Sequence, residues 1–161
     1  MRTNVYSADA VVIGGGIHGC SSALQLARRS IKVIVLEKDH VARHASGVNA
    51  GGVRRLGRDL AEVPISQAAW ELWQDMPGLV DDNCGFSRSR YLKVARSEAE
   101  LDEARARVAQ LNALGFNHEE VIDRESLRDF LPAVADYCVG ALHVDGDGAA
   151  LPFRTTVAFK R

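Results

Sequence analysis

The hydrophobic positions change period along the chain. Residues 9–13 and 32–36 are short, mostly apolar runs, the pattern of strands buried in a parallel sheet. Between them Ile17, Cys20, Leu24 and Ala27 recur at i, i+3, i+7 and i+10, which predicts a helix with one apolar stripe turned to that sheet. Residues 38–58 lose the period. They are rich in Gly, Ser, Ala and Arg and read as a binding loop rather than a core element. Pro64 suits a first helical turn. Ile65, Ala68, Ala69, Leu72, Trp73 and Met76 then form a stripe expected to face a core until Pro77-Gly78 stops the helix, with Trp73 packed and Trp70 partly exposed.

Beyond this point residues 91–95 alternate like a strand, and Ser97 with Glu100 forms a capping box. The helix it starts carries Leu101, Ala104, Val108 and Leu111 on one side and ends at Leu114-Gly115. Val121-Ile122 reads as a short strand, and Asp123 as the N-cap of a helix that stops before Leu131-Pro132. Residues 139–144 predict another strand, Asp145 to Gly148 a turn, and Pro152 the opening of a last helix.

The first strand, helix and second strand enclose Gly14-Gly15-Gly16-Ile17-His18-Gly19, a G-x-G-x-x-G turn, and the second strand ends on Glu37, eighteen residues after Gly19. This order is that of a dinucleotide-binding βαβ unit. Gly14 serves the tight turn, Gly16 the approach of a pyrophosphate, Gly19 the close packing of helix on strand, and the acid accepts adenosine ribose hydroxyls. Helix-start amides then face the phosphates.

Composition changes this picture little. With 161 residues, 47% hydrophobic and 25% charged, the chain is of globular type. Charge is uneven: residues 1–58 hold nine Lys and Arg against three acids, and residues 59–161 eleven against eighteen. A basic N-terminal part suits an anionic ligand. Scattered basic residues without interleaved aromatics argue against nucleic acid. No apolar run is long enough to span a membrane, and Asp9 and His18 interrupt the single signal-like stretch. Three cysteines without C-x-x-C spacing point to a reducing cytoplasm. Cys20 falls on the packing side of its helix. His40 and His44 are four apart in a loop, where that spacing does not bring two rings to one face, so no metal site is expected.

The motifs G-G-G-I-x-G-C-S-S-A-x-x-L-A, V-x-V-L-E-K and A-S-G-V-N-A-G-G-V-R-R, with D-G-x-x-x-L-P-F-R near the end, resemble the FAD-dependent oxidoreductases related to D-amino-acid oxidase, among them glycine, sarcosine and opine oxidases. The resemblance implies an α/β fold: a Rossmann-like FAD-binding βαβ unit with part of an α+β substrate domain. It apportions residues 1–83 to the FAD domain, 84–144 to a partial substrate domain and 145–161 to a return segment, the whole matching the N-terminal half of such a fold. FAD would be noncovalent, because Asn49 stands where some relatives link it through histidine. Cofactor contacts are expected from Gly14, Gly16, Ile17, Gly19, Glu37, Lys38, Ser46, Gly47, Asn49, Gly51 and Gly52. Arg54 and Arg55 are the candidates for the flavin or substrate side, set against an exposed arginine paired with Asp59 or Glu62. The implied reaction oxidises the C–N bond of an amino acid or secondary amine, with the flavin as hydride acceptor and completion by a C-terminal half or complementary subunit. A noncatalytic dinucleotide-binding remnant, one part of a split enzyme, and a nicotinamide-dependent dehydrogenase are the other readings.

Overall fold

A computed structural model of the protein describes residues 5–161, which fall into two compact units. One comprises the described residues up to Gly51 with Asp75–Phe86 and Ala150–Arg161; the other comprises Gly52–Gln74 and Ser87–Ala149. Residues 52–74 therefore belong with the second unit, although the sequence reading groups them with the first.

In the first unit β1 (Ala10–Ile13) and β2 (Val33–Leu36) pair in parallel, Ala10 opposite Val33 and Ile13 opposite Leu36. Parallel neighbours need a crossover, and α1 (Ile17–Ala27) supplies it. Cys20 is buried on the α1 stripe, whereas Ala27 is exposed. Strand alternation turns Val11 and Ile13 away from α1, and they stay exposed because the sheet has two strands among the described residues. The glycine-rich stretch is more regular than expected. It contains a short helix, α2 (Ala45–Val48), and a two-residue strand, β3 (Gly52–Val53), that belongs to the second unit.

Pro77 does not stop a helix. It lies in the first turn of α4 (Met76–Val80), whose N-cap, Asp75, accepts the Gly78 amide at 3.0 Å. The missing amide of proline is harmless there, since first-turn amides have no partner within the helix. The last element of this unit, α7 (Pro152–Lys160), packs on α1 and α2. Asp82 binds its two ends: its carboxylate accepts Arg154 Nε at 2.7 Å and Arg161 Nη1 at 3.4 Å. The Cys84 amide, followed by Arg154, holds the Asp82 carboxyl below the usual carboxylate range.

The second unit is built around β6 (Gly140–Ala149). The antiparallel strand β4 (Ser87–Ala95) flanks it along one side; β5 (Glu120–Asp123) and β3 share the other. β6 runs straight through Asp145–Gly148, where the sequence predicts a turn. The ladder absorbs an irregularity opposite Ser89 and Tyr91, and Gly146 takes φ +84°. Helix α5 (Glu98–Ala113) lays Ala104 and Val108 on Leu142, Val144 and Leu56. On the other face α6 (Arg124–Phe130) buries Leu127 against Ala141 and Cys138. The predicted caps form: Ser97 Oγ accepts the Glu100 amide at 3.3 Å and Asp123 accepts that of Ser126 at 2.9 Å.

Helix α3 (Val63–Trp73) departs furthest from expectation. It ends three residues before Met76, and of its stripe Ile65, Ala68, Ala69 and Leu72 all face solvent.

Candidate functional site

The glycine turn and the acid meet within the first unit because β1 and β2 are neighbours, so their C-terminal ends lie side by side. Glu37 Oε2 accepts the Gly15 amide at 2.6 Å, and its other oxygen accepts the Asp39 amide at 3.0 Å. These two amides, Gly15 first, hold the Glu37 carboxyl below its ordinary value, so it is ionised at neutral pH. Gly14 has φ +105°, a conformation L side chains rarely adopt, and its amide donates to Leu36 O at 2.8 Å. A Cβ on Gly19 would run into the carbonyl oxygen of Gly14. Gly19 thus lets α1 start directly against the turn, and the positive end of the helix dipole opens at Gly16 and Ile17.

The loop after β2 folds back on that helix end. Ser46 Oγ accepts the Ile17 amide at 3.0 Å, and a Cβ on Gly16 would come within 2.9 Å of the same oxygen. Ser46 is held in turn by α7, where Thr156 Oγ1 donates to its carbonyl at 3.2 Å. Gly47 and Gly51 lie against the Ala42 and Ala150 carbonyls, and side chains there would collide with them. Asn49 shapes the loop itself: its Nδ2 donates to Ala45 O at 3.1 Å and its Oδ1 accepts the Gly51 amide at 2.8 Å. Lys38 is exposed. The structure therefore brings Gly14, Gly16, Ile17, Gly19, Glu37, Ser46, Gly47, Asn49 and Gly51 into one unit; Gly52, Arg54 and Arg55 belong to the other.

There the two arginines part ways. Arg54 is exposed. Arg55 is buried, its Nε 3.0 Å from Asp147 Oδ1, its Nη1 3.1 Å from Gln67 Oε1, and its guanidinium carbon 3.9 Å from the centroid of the Trp70 ring. Asp147 also accepts the Arg55 and Leu56 amides, at 2.8 and 3.1 Å. The alternative reading, an exposed arginine paired with Asp59 or Glu62, is not seen for either arginine among the described residues: Asp59 caps the 3-10 turn after it and Glu62 lies 3.7 Å from Arg58. A cavity of about 710 Å³ in this unit is lined by Arg55, Trp70, His118, Glu120 and Asp145 among others. Its buried cation is already committed to Asp147.

Sequence reasoning missed Asp147, which looked like a turn residue, and Thr156, a helix residue with no motif. It also missed the partner of His143, whose Nδ1 lies 2.7 Å from Glu120 Oε1. His40 and His44 both approach Asp39, at 3.2 and 3.6 Å.

A subunit of the opine oxidase of Rhizobium meliloti is 29% identical over 157 residues, covering 91% of this chain and 42% of that protein. L-2-hydroxyglutarate dehydrogenase of Escherichia coli is 31% identical over 162 residues, covering 95% and 36%. The solved structure of L-amino acid deaminase from Proteus myxofaciens, in complex with anthranilate, superposes with a TM-score of 0.85 at 22% identity, covering 99% of this chain and 37% of that one. The chain thus spans about two fifths of the length of the relatives it matches. Residues 9–161 match the model of the FAD dependent oxidoreductases, and the chain belongs to that family.

Proposed function

We propose that the chain forms the adenosine- and pyrophosphate-binding part of a flavoenzyme that oxidises the C–N bond of an amino acid or secondary amine. The observation that carries the reading is the convergence of Glu37 and the glycine turn on adjacent strand ends, joined by the 2.6 Å bond from the Gly15 amide. The acid would hold the ribose hydroxyls. The turn over Gly14 to Gly19 and the start of α1 would take the pyrophosphate, with Ser46 beside it and Gly47 to Gly51 facing the rest of the cofactor. FAD, once bound, supplies the acceptor for the electron pair removed from substrate. The family is FAD-dependent, which favours flavin over a nicotinamide.

The relative that is an opine oxidase subunit supports C–N chemistry and a multi-subunit setting. The 2-hydroxyglutarate dehydrogenase relative supports C–O oxidation as a second reading. Of the two arginines, Arg54 is the one we assign to the flavin or substrate side, because Arg55 is committed to Asp147, Gln67 and Trp70. Three buried, unpaired cysteines support a reducing compartment such as the cytoplasm. Among the described residues no helix is long and apolar enough to cross a membrane.

The test is flavin fluorescence titration of the wild type and of Glu37→Ala. Loss of the charged acceptor is expected to weaken FAD binding by roughly tenfold or more. Equal affinity would remove Glu37 from the site.

A further inference from the structure

A buried helix position suits threonine poorly. Its branched Cβ restricts rotamers, and its hydroxyl needs a partner that water cannot supply there. Helix α7 nonetheless buries two threonines side by side, Thr155 at 6% and Thr156 at 1% exposure. The Thr155 hydroxyl donates to Leu151 O, one turn back, at 2.9 Å. Thr156 makes the same backward bond, to Pro152 O at 3.0 Å, but a second carbonyl shares its proton: Ser46 O, 110 residues away in sequence, at 3.2 Å. Of the two, Thr156 is the one bonded to the loop that follows β2.

That loop needs support from outside itself. The single turn of α2 has four residues and no side-chain bond at its N-cap, His44, and a helix so short leaves its carbonyls without partners of its own. Ser46 O is one of them, and two donors fill its lone pairs. Exposed Asn49 donates Nδ2 at 3.2 Å from within the loop; Thr156 donates from α7. Asn49 moves with the loop, whereas α7 is fastened at several points. Ala150 N donates to Gly51 O and Leu151 N to Cys84 O, each at 2.9 Å, and Asp82 holds Arg154 at 2.7 Å. The other end of the same residue faces the glycine turn, where Ser46 Oγ accepts the Ile17 amide at 3.0 Å. Through its carbonyl and its hydroxyl, Ser46 thus joins α7 to the start of α1.

We propose that Thr156 is a positioning residue for the cofactor: it fixes the Ser46 backbone so that the Ser46 hydroxyl stands at the α1 N-terminus, where a pyrophosphate would lie. This inference rests on the reading of the glycine turn as the pyrophosphate seat. Valine at 156 would keep the shape of the side chain but set a methyl group against the Ser46 carbonyl, leaving the loop without its fixed donor.

The experiment titrates FAD, by flavin fluorescence, into the full 161-residue chain well below the unfolding transition of each variant. Thr156→Val and Thr156→Ala are expected to weaken binding about fivefold, the scale of one net hydrogen bond. Thr156→Ser, which restores the hydroxyl, should return affinity to within about twofold of wild type. Thr155→Val is the control. It loses the same kind of backward bond and should lower the melting temperature much as Thr156→Val does, yet leave FAD affinity unchanged. ADP, which carries the adenosine and pyrophosphate without the flavin, should show the same loss by calorimetry. Wild-type affinity in Thr156→Val and Thr156→Ala, an equal loss in Thr155→Val, no rescue by serine, or an ADP affinity indifferent to Thr156 would each overturn the proposal. Failure of the wild type to bind either ligand would overturn it together with the cofactor reading. Glu37→Ala separates the two: unchanged affinity there, with the Thr156 effects intact, would sink the ribose assignment and leave Thr156 in its role.

Discussion

Single atoms decide the chemistry of the glycine turn, and two of them yield predictions. Alanine normally outdoes glycine inside a helix by up to about 1 kcal/mol. At Gly19 the sign should reverse, because the added Cβ meets the backbone carbonyl of Gly14, and overpacking of this kind costs about 1–3 kcal/mol. Urea denaturation of Gly19→Ala should show a lower midpoint; a raised one would mean that α1 does not start so close to the turn. Glu37 governs the pH response. Its folded-state pKa is depressed by the Gly15 and Asp39 amides, so the stabilisation is fully present above the ordinary carboxylate value of 4.5 and is lost as pH falls through the lowered one. FAD affinity should therefore be flat from about pH 8 to 5 and weaken only in more acid solution. Weakening already between pH 7 and 6 would point to a group other than Glu37.

At the scale of elements, the second unit is organised by Asp147 on β6, whose carboxylate serves one guanidinium and two backbone amides. Removing one member of a buried ion pair costs about 3–5 kcal/mol, a large share of the roughly 5–15 kcal/mol that stabilises a domain. Asp147→Ala should unfold the unit at markedly lower denaturant. Replacing Arg55 as well should restore little, since the Arg55 and Leu56 amides would still have lost their acceptor. A double-mutant cycle in urea checks this, and full recovery in the double variant would show that the side-chain pair alone matters. Legibility differed by element for a related reason. The Ser97 and Asp123 caps and the glycine after α5 act within a few residues, so the sequence displays them. Neither β3 nor the second half of β6 has a strand-like pattern of its own; both are strands through pairing with distant segments, Gly52 opposite Ala149 almost a hundred residues away and Ser87 opposite Ala149 from the other side.

For the molecule as a whole, the exposed faces bear on activity. Val11 and Ile13 on the two-stranded sheet, and Leu151 and Phe153 at the start of α7, are apolar and open to solvent. A site open to water holds substrate poorly in a reactive geometry. The 161-residue chain alone should thus retain flavin weakly and fail to reduce it. Anaerobic mixing with amino acids, sarcosine, opines and 2-hydroxy acids, followed by absorbance, is the measurement, and rapid bleaching by the isolated chain would refute the expectation.

What the sequence determined by itself was the βαβ unit: strand, turn, helix, strand and acid follow one another within thirty residues, and each is encoded by local period, glycine placement or capping. The family resemblance rested on the same short-range signals. Only the tertiary structure decided that Arg55 is buried on Asp147, that a string of Asp and Gly continues a strand, and that α3 faces outward. In each case the free energy comes from partners far along the chain. A hydrophobic period can say that a helix has an apolar face, but which way that face turns depends on whether the opposite face has found better partners, and for α3 a buried guanidinium, an indole and a glutamine outweighed four modest apolar side chains.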